Sequence, residues 1–261
     1  MKHFITLLFT AILAFSNLHS EIVLDRFEEY KFKPIVTFGV GFPFGQGASD
    51  FFKIFQSEIG GNSDKFSSTP SGNVVFKSWI SRNSRIGISA SYHKINVFDD
   101  YYVIGEYLTR NHINEINIGT IPLIAKWEYI PYDKQFRSYV GAGLGLVASQ
   151  ITWKERVQST FPLDSRKGGV HFDELSISPA IELYSGIELG FDEYPESLFL
   201  GSIIFELDYK YSPQSVDIFK NIKTQINDYS PKLDKKVSMF SGYFTFSVAL
   251  SFNLLGKRSG E

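Results

Sequence analysis

The chain has 261 residues, no cysteine and a formal net charge of −2 at pH 7. The lack of cysteine excludes disulfides, thiolate metal ligands and cysteine nucleophiles, and the nearly balanced charge offers no basic surface for nucleic acid. After the first 20 residues no apolar run reaches about 18 residues, which excludes a transmembrane helix. If the chain enters a membrane, it must do so as a closed barrel, since only helices and closed barrels satisfy every backbone group in lipid.

The N-terminus has the layout of a secretory signal peptide. Residues 1–3 are a short polar start, residues 4–15 are apolar, and residues 16–20 are small or polar. An apolar stretch of about a dozen residues is too short for a stable transmembrane helix, which disfavours an uncleaved anchor. We predict a signal peptide over residues 1–20, with cleavage after Ser20 or, as an alternative, at residues 14–16. Residues 21–33 would then form a periplasmic N-terminal lead.

Eight segments alternate apolar and polar residues with a period of two, the pattern of strands with two different faces. They lie at about residues 34–42, 73–81, 86–93, 114–129, 140–148, 176–190, 202–211 and 239–253. The last segment is the clearest, with Phe244 and Leu250 on one face and Thr245 and Ser251 on the other. The pattern is weaker near Gly119, and we expect a β-bulge at residues 119–120.

The connections alternate in length. Those after strands two, four and six are short, whereas residues 44–72, 94–113, 152–175 and 212–236 are long connections. This asymmetry is typical of bacterial outer-membrane barrels, with short turns in the periplasm and long loops outside. The sequence therefore predicts an all-β fold: an eight-stranded antiparallel transmembrane β-barrel with short periplasmic turns and long extracellular loops. The barrel would cover residues 34–253, followed by a polar tail at 254–261.

A soluble eight-stranded cup of the lipocalin kind is the alternative architecture. It would place apolar residues inside and charged residues outside. Here Glu182 and Glu206 share a face with glycine and serine, while the opposite face is apolar, which favours lipid outside. Five aromatic positions are expected on the outer surface near the membrane interfaces: Trp127, Tyr129, Tyr209, Tyr211, and Tyr243 or its neighbours.

Two neighbouring strands carry a resemblance to a known family. The segments IPLIAKWEY at 121–129 and YVGAGLGL at 139–146 resemble the small outer-membrane β-barrel domains of Bacteroidetes and related Gram-negative bacteria. That family includes PorT-like barrels, and its architecture is similar to the OmpX, OmpW and OmpA barrels. The resemblance implies the outer membrane of a Gram-negative bacterium, with its lipid and the barrel-insertion machinery as partners. Ser247 departs from the family pattern, because a glycine often occupies this position in the last strand.

Charged residues occur on the face predicted to point inward. Buried charges must pair, and the interior of an eight-stranded barrel is only wide enough for side chains. We therefore predict that these residues form ion pairs that fill the lumen, centred on Glu206, Asp208 and Lys210. The predicted lumen charge network consists of Lys77, Lys126, Glu128, Glu182, Glu206, Asp208 and Lys210.

The first long connection contains the one helical signal. Ser49 or Asp50 can cap a short helix, and residues 60–61 are glycines that would end it. Its apolar stripe consists of Phe51, Phe52, Phe55 and Ile59. This patch would either pack on the rim of its own barrel or act as a lid or partner-binding surface.

Three functions fit this pattern. The leading hypothesis is a non-enzymatic barrel that stabilises the envelope or binds a protein or small molecule through its surface loops; the alternative is a narrow channel for small or apolar solutes. The third is a membrane-embedded hydrolase, which needs a histidine beside a carboxylate or serine. The candidates for such a site are His93, Asp99, Asp100, His112, His171, Asp173 and Glu174. None lies in a nucleophile motif, so we expect no enzymatic activity, no catalytic residue, no metal and no cofactor.

Overall fold

The computed structural model describes residues 33–44, 53, 67–81, 83–105, 109–131, 135–160, 169–192, 198–216 and 237–255. The long strands among them are β1 (Pro34–Phe44), β2 (Ser71–Ser81), β3 (Ser84–Ile104), β4 (Thr109–Tyr129), β5 (Phe136–Ser159), β6 (Gly169–Gly190), β7 (Leu200–Val216) and β8 (Val237–Asn253). Each pairs antiparallel with the next, and β1 also pairs with β8. The sheet is a closed ring, and the predicted eight-stranded antiparallel barrel is confirmed. A two-residue strand, Ser67–Ser68, pairs with β3.

The two faces of the ring differ in polarity. Phe38, Leu144 and Ile177 point outward and are 54%, 66% and 64% exposed, whereas Lys77 and Glu182 point inward and are buried. Apolar residues outside and polar residues inside are the arrangement of a barrel surrounded by lipid, and the reverse of a soluble cup. Within the described residues, no helix has the length and hydropathy that crossing a membrane requires.

One of the predicted outward aromatic residues points inward. Four of the five follow the outward parity of their strands: Trp127, Tyr129, Tyr209 and Tyr211. At the fifth position the neighbour Phe244 points outward, whereas Tyr243 itself shares the inward parity of Thr245 and is buried. Its ring meets that of His93 edge to face, with 4.9 Å between the centroids. Tyr243 therefore belongs to the barrel interior.

Four strands are much longer than the sequence pattern predicts. The predicted loops at 94–113 and 152–175 are wrong, since β3 and β4 leave only residues 105–108 between them and β5 and β6 leave only residues 160–168. These four strands have 21, 21, 24 and 22 residues, about twice the 9 to 11 that cross a bilayer. We call their additional part, residues 94–104, 109–119, 150–159 and 169–175, the extension.

The bulge predicted at residues 119–120 is wrong. Lys94 pairs with Gly119, Gly119 pairs with Gln150, and the register on both sides of this row is continuous. We call Lys94, Gly119 and Gln150 the boundary row. The weak pattern at this place has a different physical cause, which is a change in the polarity of the two faces.

The polarity of β4 and β5 reverses at the boundary row, whereas β3 still carries outward Phe98 and Tyr102 beyond it, at 64% and 65% exposure. On the side of the short turns, Ile121 and other apolar residues point outward. On the other side, Asn117 and Thr152 point outward, while Ile118 and Ile151 point inward and are buried. A sheet that leaves lipid and enters water buries its apolar face, and the reversal on β4 and β5 is the pattern that such a change of surroundings produces.

Several predicted segments lie outside the described residues. They include the signal peptide at 1–20, the lead at 21–33 apart from Lys33, and the tail at 254–261 apart from its first two residues. The predicted apolar patch of the first connection also lies outside them: Phe51, Phe52, Phe55 and Ile59. Of the connection predicted at 212–236, residues 212–216 belong to β7 and residues 217–236 are not described.

Candidate functional site

Charged side chains fill the barrel interior near the short turns. Arg85 at the start of β3 is fully buried, and its Nε lies 2.7 Å from Glu128 Oε2 while its Nη1 lies 2.8 Å from Glu188 Oε2. Lys77 Nζ lies 3.3 Å from Glu128 Oε1, and Arg137 Nη1 lies 3.4 Å from Glu188 Oε1. We call these five residues the lower cluster. Each acidic group accepts from two basic groups, as buried carboxylates require.

A second group of charges lies further along the barrel. Lys126 Nζ is 2.9 Å from Glu206 Oε1 and 3.5 Å from Glu182 Oε1. Lys210 Nζ is 3.1 Å from the same oxygen of Glu182 and 2.5 Å from Asp208 Oδ1. We call these five residues the upper cluster. Its two ammonium groups bridge three carboxylates, so Glu182 shares both lysines.

Tyr139 joins the two clusters. Its hydroxyl donates a hydrogen bond of 2.8 Å to Glu206 Oε2, and the centre of its ring lies 5.5 Å from Lys77 Nζ and 5.7 Å from Arg85 Cζ. The ring extends over Gly186, its partner across the strands, where a side chain would collide with it. A glycine thus makes room for the aromatic ring between the charged layers.

The charges of the two clusters cancel. The lower cluster has three basic and two acidic groups, and the upper cluster has two basic and three acidic groups. Their net charges are therefore +1 and −1. Because a buried charge is costly unless it is compensated, this balance lets ten ionised groups occupy the described interior together.

An aromatic ring lies beneath the lower cluster. The ring centre of Trp79 lies 5.0 Å from Arg85 Cζ and 5.5 Å from Arg137 Cζ, distances at which a cation is attracted to an aromatic face. Trp79 is buried with Ile35 and Ile130 at the short-turn end. Aromatic and aliphatic side chains thus occupy the barrel interior below the charges.

The inward face becomes apolar above the clusters. Ile124, Val147 and Ala180 form a buried group on β4, β5 and β6. Beyond them, the inward and buried aliphatic residues of the extension are Ile95, Val97, Ile116, Ile118 and Ile151, and the aromatic residues Tyr101 and Trp153 are buried with them. Between these two apolar groups the buried residues are polar, among them His93, Thr120 and Ser149. Further along the extension His112 and Glu155 are buried as a pair, so apolar and polar levels alternate above the charged clusters.

The structure brings all seven residues of the predicted lumen network together inside the ring. It divides them between the clusters, with Lys77 and Glu128 in the lower one and the other five in the upper one. Glu206 is bonded to Lys126 and Tyr139, whereas the predicted centre joined it to Lys210. Their role in the protein stays a prediction.

Sequence reasoning missed three members of the lower cluster. The sequence pattern places Arg85 and Arg137 in short turns, but β3 begins at Ser84 and β5 begins at Phe136. Glu188 lies on the same inward face of β6 as Glu182, although the predicted network does not include it. Residues two apart in a strand lie on the same face, and this spacing is the signal that identifies them. Arg85 lies two residues before the inward Gly87, and Arg137 lies two residues before the inward Tyr139.

The histidines considered for catalysis do not converge. His93 lies in the barrel interior, whereas His112 lies in the extension, where its Nδ1 is 2.8 Å from Glu155 Oε1 and its ring stacks on Tyr101. Asp173 accepts hydrogen bonds from Gln150 and Thr152. Asp99 is buried in the extension, Asp100 is exposed, Glu174 is partly exposed, and the side chain of His171 is not described.

Three carboxylates of the upper cluster are close enough to be considered as metal ligands. One oxygen from each of Glu182, Glu206 and Asp208 lies within 4.8 Å of the others. All three already accept from Lys126 or Lys210. A divalent cation takes several oxygen ligands and would have to displace these ammonium groups, so the donor set does not fit such an ion.

Comparisons with known proteins give fold-level likenesses. No protein-family model and no curated protein matches the chain. Neisserial surface protein A is 11% identical, with 85% of this chain and 97% of that chain covered and a TM-score of 0.41. Ail of Yersinia pestis, solved with the heparin analogue sucrose octasulfate, is 8% identical, with 85% and 98% covered and a TM-score of 0.38. The N-terminal β-barrel domain of OprF from Pseudomonas aeruginosa is 11% identical, with 87% and 100% covered and a TM-score of 0.36.

Proposed function

We propose that this protein is a non-enzymatic outer-membrane barrel of a Gram-negative bacterium that does not conduct and that binds a partner at the cell surface. The observation that carries the proposal is the interior of balanced ion pairs. Arg85 alone bridges two carboxylates at 2.7 and 2.8 Å, which leaves no wide path through this layer. A pore would need a hydrated lumen, and the contacts in this one are direct.

The apolar layer supports a closed interior independently of the charges. Ile95, Ile118 and Ile151 are neighbours across β3, β4 and β5, and all are buried. An ion that passed the charged clusters would have to lose water against these side chains, which costs several kcal/mol or more. The ion pairs and the buried isoleucines would each oppose the passage of an ion. Together they favour a structural or binding role over transport.

The extension supports binding at the surface. It carries four hydrogen-bonded strands past the boundary row, and at about 3.3 Å per residue and a tilt of about 40° ten residues rise roughly 25 Å. Tyr102, Val103 and Ile104 at the end of β3 are 65%, 47% and 80% exposed. Exposed large apolar side chains that lie next to one another are typical of a contact surface.

The predicted export signal agrees with the proposed location. A cleaved peptide at 1–20 would deliver the chain to the periplasm, from which the barrel-insertion machinery inserts such proteins; outer-membrane lipid would then surround Phe38, Leu144 and the other outward residues. N-terminal sequencing of the protein purified from membranes tests this step. A mature chain that begins at Glu21 agrees with the proposal, and an intact Met1 contradicts it.

Conductance in planar bilayers tests the closed lumen. We expect no steady single-channel current from the purified wild-type protein, and the same from Arg85→Ala, because the apolar layer persists. As a control for insertion, liposomes prepared in parallel are checked for the presence of the folded protein. A large and steady current from the wild type refutes the proposal and favours the channel. A current from Arg85→Ala alone identifies the lower cluster as a gate and likewise favours the channel.

A further inference from the structure

Alternate residues of β6 form backbone hydrogen bonds with its two neighbouring strands. At the short-turn end, the N–H of Gly190 donates to Gln135 beside β5 at 2.7 Å, and the N–H of the next residue, Phe191, donates to Gly201 of β7 at 2.9 Å. In an antiparallel ladder this alternation continues along the strand. Even-numbered residues of β6 therefore face β5, and odd-numbered residues face β7.

The ladder between β6 and β7 ends at two facing prolines. Its last pair is Ile181 and Tyr211. In the same register, the next pair to exchange hydrogen bonds would be Pro179 and Pro213. A proline has no N–H to donate, so both bonds of that pair are missing, which explains why the two strands separate there.

Beyond the prolines, β6 continues with β5 on one side. The pairing with β5 runs on through Leu175 and Gln150 in the boundary row to Asp173 and Thr152, whereas no strand among the described residues pairs with the other edge. The N–H and C=O groups of Asp173, Leu175 and Ile177 point to that edge, because these residues are odd-numbered. We call residues 173–177 the open edge. It continues the row of backbone groups that binds β7 lower in the barrel, so a strand placed on it would extend an interface that already exists.

The side chains of the open edge show what such a strand would contain. Leu175 and Ile177 point outward and are 59% and 64% exposed, whereas the serines at 176 and 178 lie on the inward face. Strand edges are commonly protected by lysine, proline or a bulge, and the open edge contains none of them. We propose that the open edge binds an extended peptide of a partner protein as an added strand, and that Pro179 and Pro213 keep β7 from closing on it. The peptide would be apolar beside Leu175 and Ile177 and small or polar on its other face. This inference rests on the proposed surface binding and names the form of its partner.

A synthetic peptide with the sequence of residues 203–211 tests the open edge, because this part of β7 binds the same row of odd-numbered residues lower in β6. The whole refolded protein is placed in lipid nanodiscs, and amide NMR follows hydrogen exchange and peptide binding, with empty nanodiscs as the control. We expect the amides of Leu175 and Ile177 to exchange fast in the free protein and more slowly with the peptide bound. The same peptide with Leu207→Pro should bind at least about tenfold more weakly, because it lacks one donor to the ladder.

Two substitutions at Leu175 form a matched pair. Leu175→Pro removes an N–H that faces the open edge and leaves the bonds to β5 in place, because even-numbered residues make those bonds. It should weaken peptide binding at least about tenfold, whereas Leu175→Ala keeps the N–H and should weaken it less than about threefold. Pro179→Val combined with Pro213→Val supplies both missing donors, so β7 should close on β6, the amide of Ile177 should exchange slowly, and peptide binding should fall.

Three results would overturn the proposal. Slow exchange of Leu175 and Ile177 in the free wild type would show that another part of the chain or a second copy covers the edge. No binding at a peptide concentration of about 1 mM, or equal binding by wild type and Leu175→Pro, would show that the edge accepts no strand. None of these results bears on the conductance of the lumen, so they leave the closed barrel of the proposed function standing.

Discussion

Removing Lys210 should destabilise the barrel strongly. Its ammonium group lies 2.5 Å from Asp208 and 3.1 Å from Glu182, so Lys210→Met changes the net charge of the upper cluster from −1 to −2. Asp208 then loses the only ion-pair partner that the described interior gives it. Loss of one member of a buried pair costs roughly 3 to 5 kcal/mol. With a slope of about 2 to 3 kcal/mol per molar urea for a chain of this size, the urea midpoint falls by about 1 to 2.5 M.

The partner substitution decides whether pairing is the cause. Lys210→Met combined with Asp208→Asn returns the net charge to −1, and we expect the double variant to recover more than half of the lost midpoint. Combined with Glu206→Gln, the same lysine variant should recover less, because Glu206 is bonded to Lys126. The unfolding midpoints of both double variants are measured by urea unfolding in detergent, followed by fluorescence and by the gel shift of the folded form. Lys154→Met, at an exposed position of the extension, is the control and should change stability by less than about 0.5 kcal/mol. If Asp208→Asn and Glu206→Gln restored the midpoint of Lys210→Met equally, the pairing of Lys210 with Asp208 would be refuted.

Three further predictions concern the packing of the barrel and of the extension. A Cβ on Gly145 would collide with the backbone of β4, whereas nothing lies near the same position on Gly72. Gly145→Ala should therefore lower the free energy of unfolding by about 1 to 3 kcal/mol and reduce the refolding yield. Gly72→Ala, the control, should change neither. Ile118→Asn buries an amide in the apolar layer, so limited proteolysis should cut the extension faster while the gel shift of the barrel is retained; equal cleavage of variant and wild type would contradict the layer. His112→Ala removes the hydrogen bond to Glu155, so the free energy of unfolding should fall by about 1.5 to 3 kcal/mol and the midpoint of thermal unfolding should fall with it. An unchanged midpoint would contradict that contact.

The ring of strands was predictable because its pattern is local. In β5, Val140, Leu144 and Leu146 alternate with glycines over a length that crosses a membrane. Lipid on one side and a narrow lumen on the other impose this period without interruption. Strand number and antiparallel pairing could then be inferred from the count and from the short turns.

The extension was not predictable from the same pattern, because its faces exchange polarity. A search for outward apolar residues finds Ile116 and Ile118 at the wrong alternate positions and interrupts the strand there. The alternation of β4 in fact continues, and both residues point inward. The prediction of a bulge at Gly119 was the same error in another form. A second search for inward apolar residues beyond the boundary row would have found these strands.

The charged residues of the interior could be named from parity, but their partners could not. Lys77 and Glu128 are 51 positions apart, and Lys126 and Glu206 are 80 positions apart. Such pairs depend on how the ring closes and on the stagger of its strands. Arg85 was missed because it lies one residue inside a strand, where a turn and a strand end have the same sequence signal.

Labelling of single cysteines on intact cells tests the central claim, which is that the boundary row marks the outer surface of the membrane. The chain has no cysteine, so each substitution reports one position to a membrane-impermeant maleimide. We predict labelling of Lys154→Cys on intact cells, no labelling of Leu144→Cys, and labelling of Asn83→Cys in a short turn only after the outer membrane is permeabilised. Labelling of Leu144→Cys as fast as Lys154→Cys, or of Asn83→Cys but not Lys154→Cys on intact cells, would contradict the placement of the barrel in the membrane.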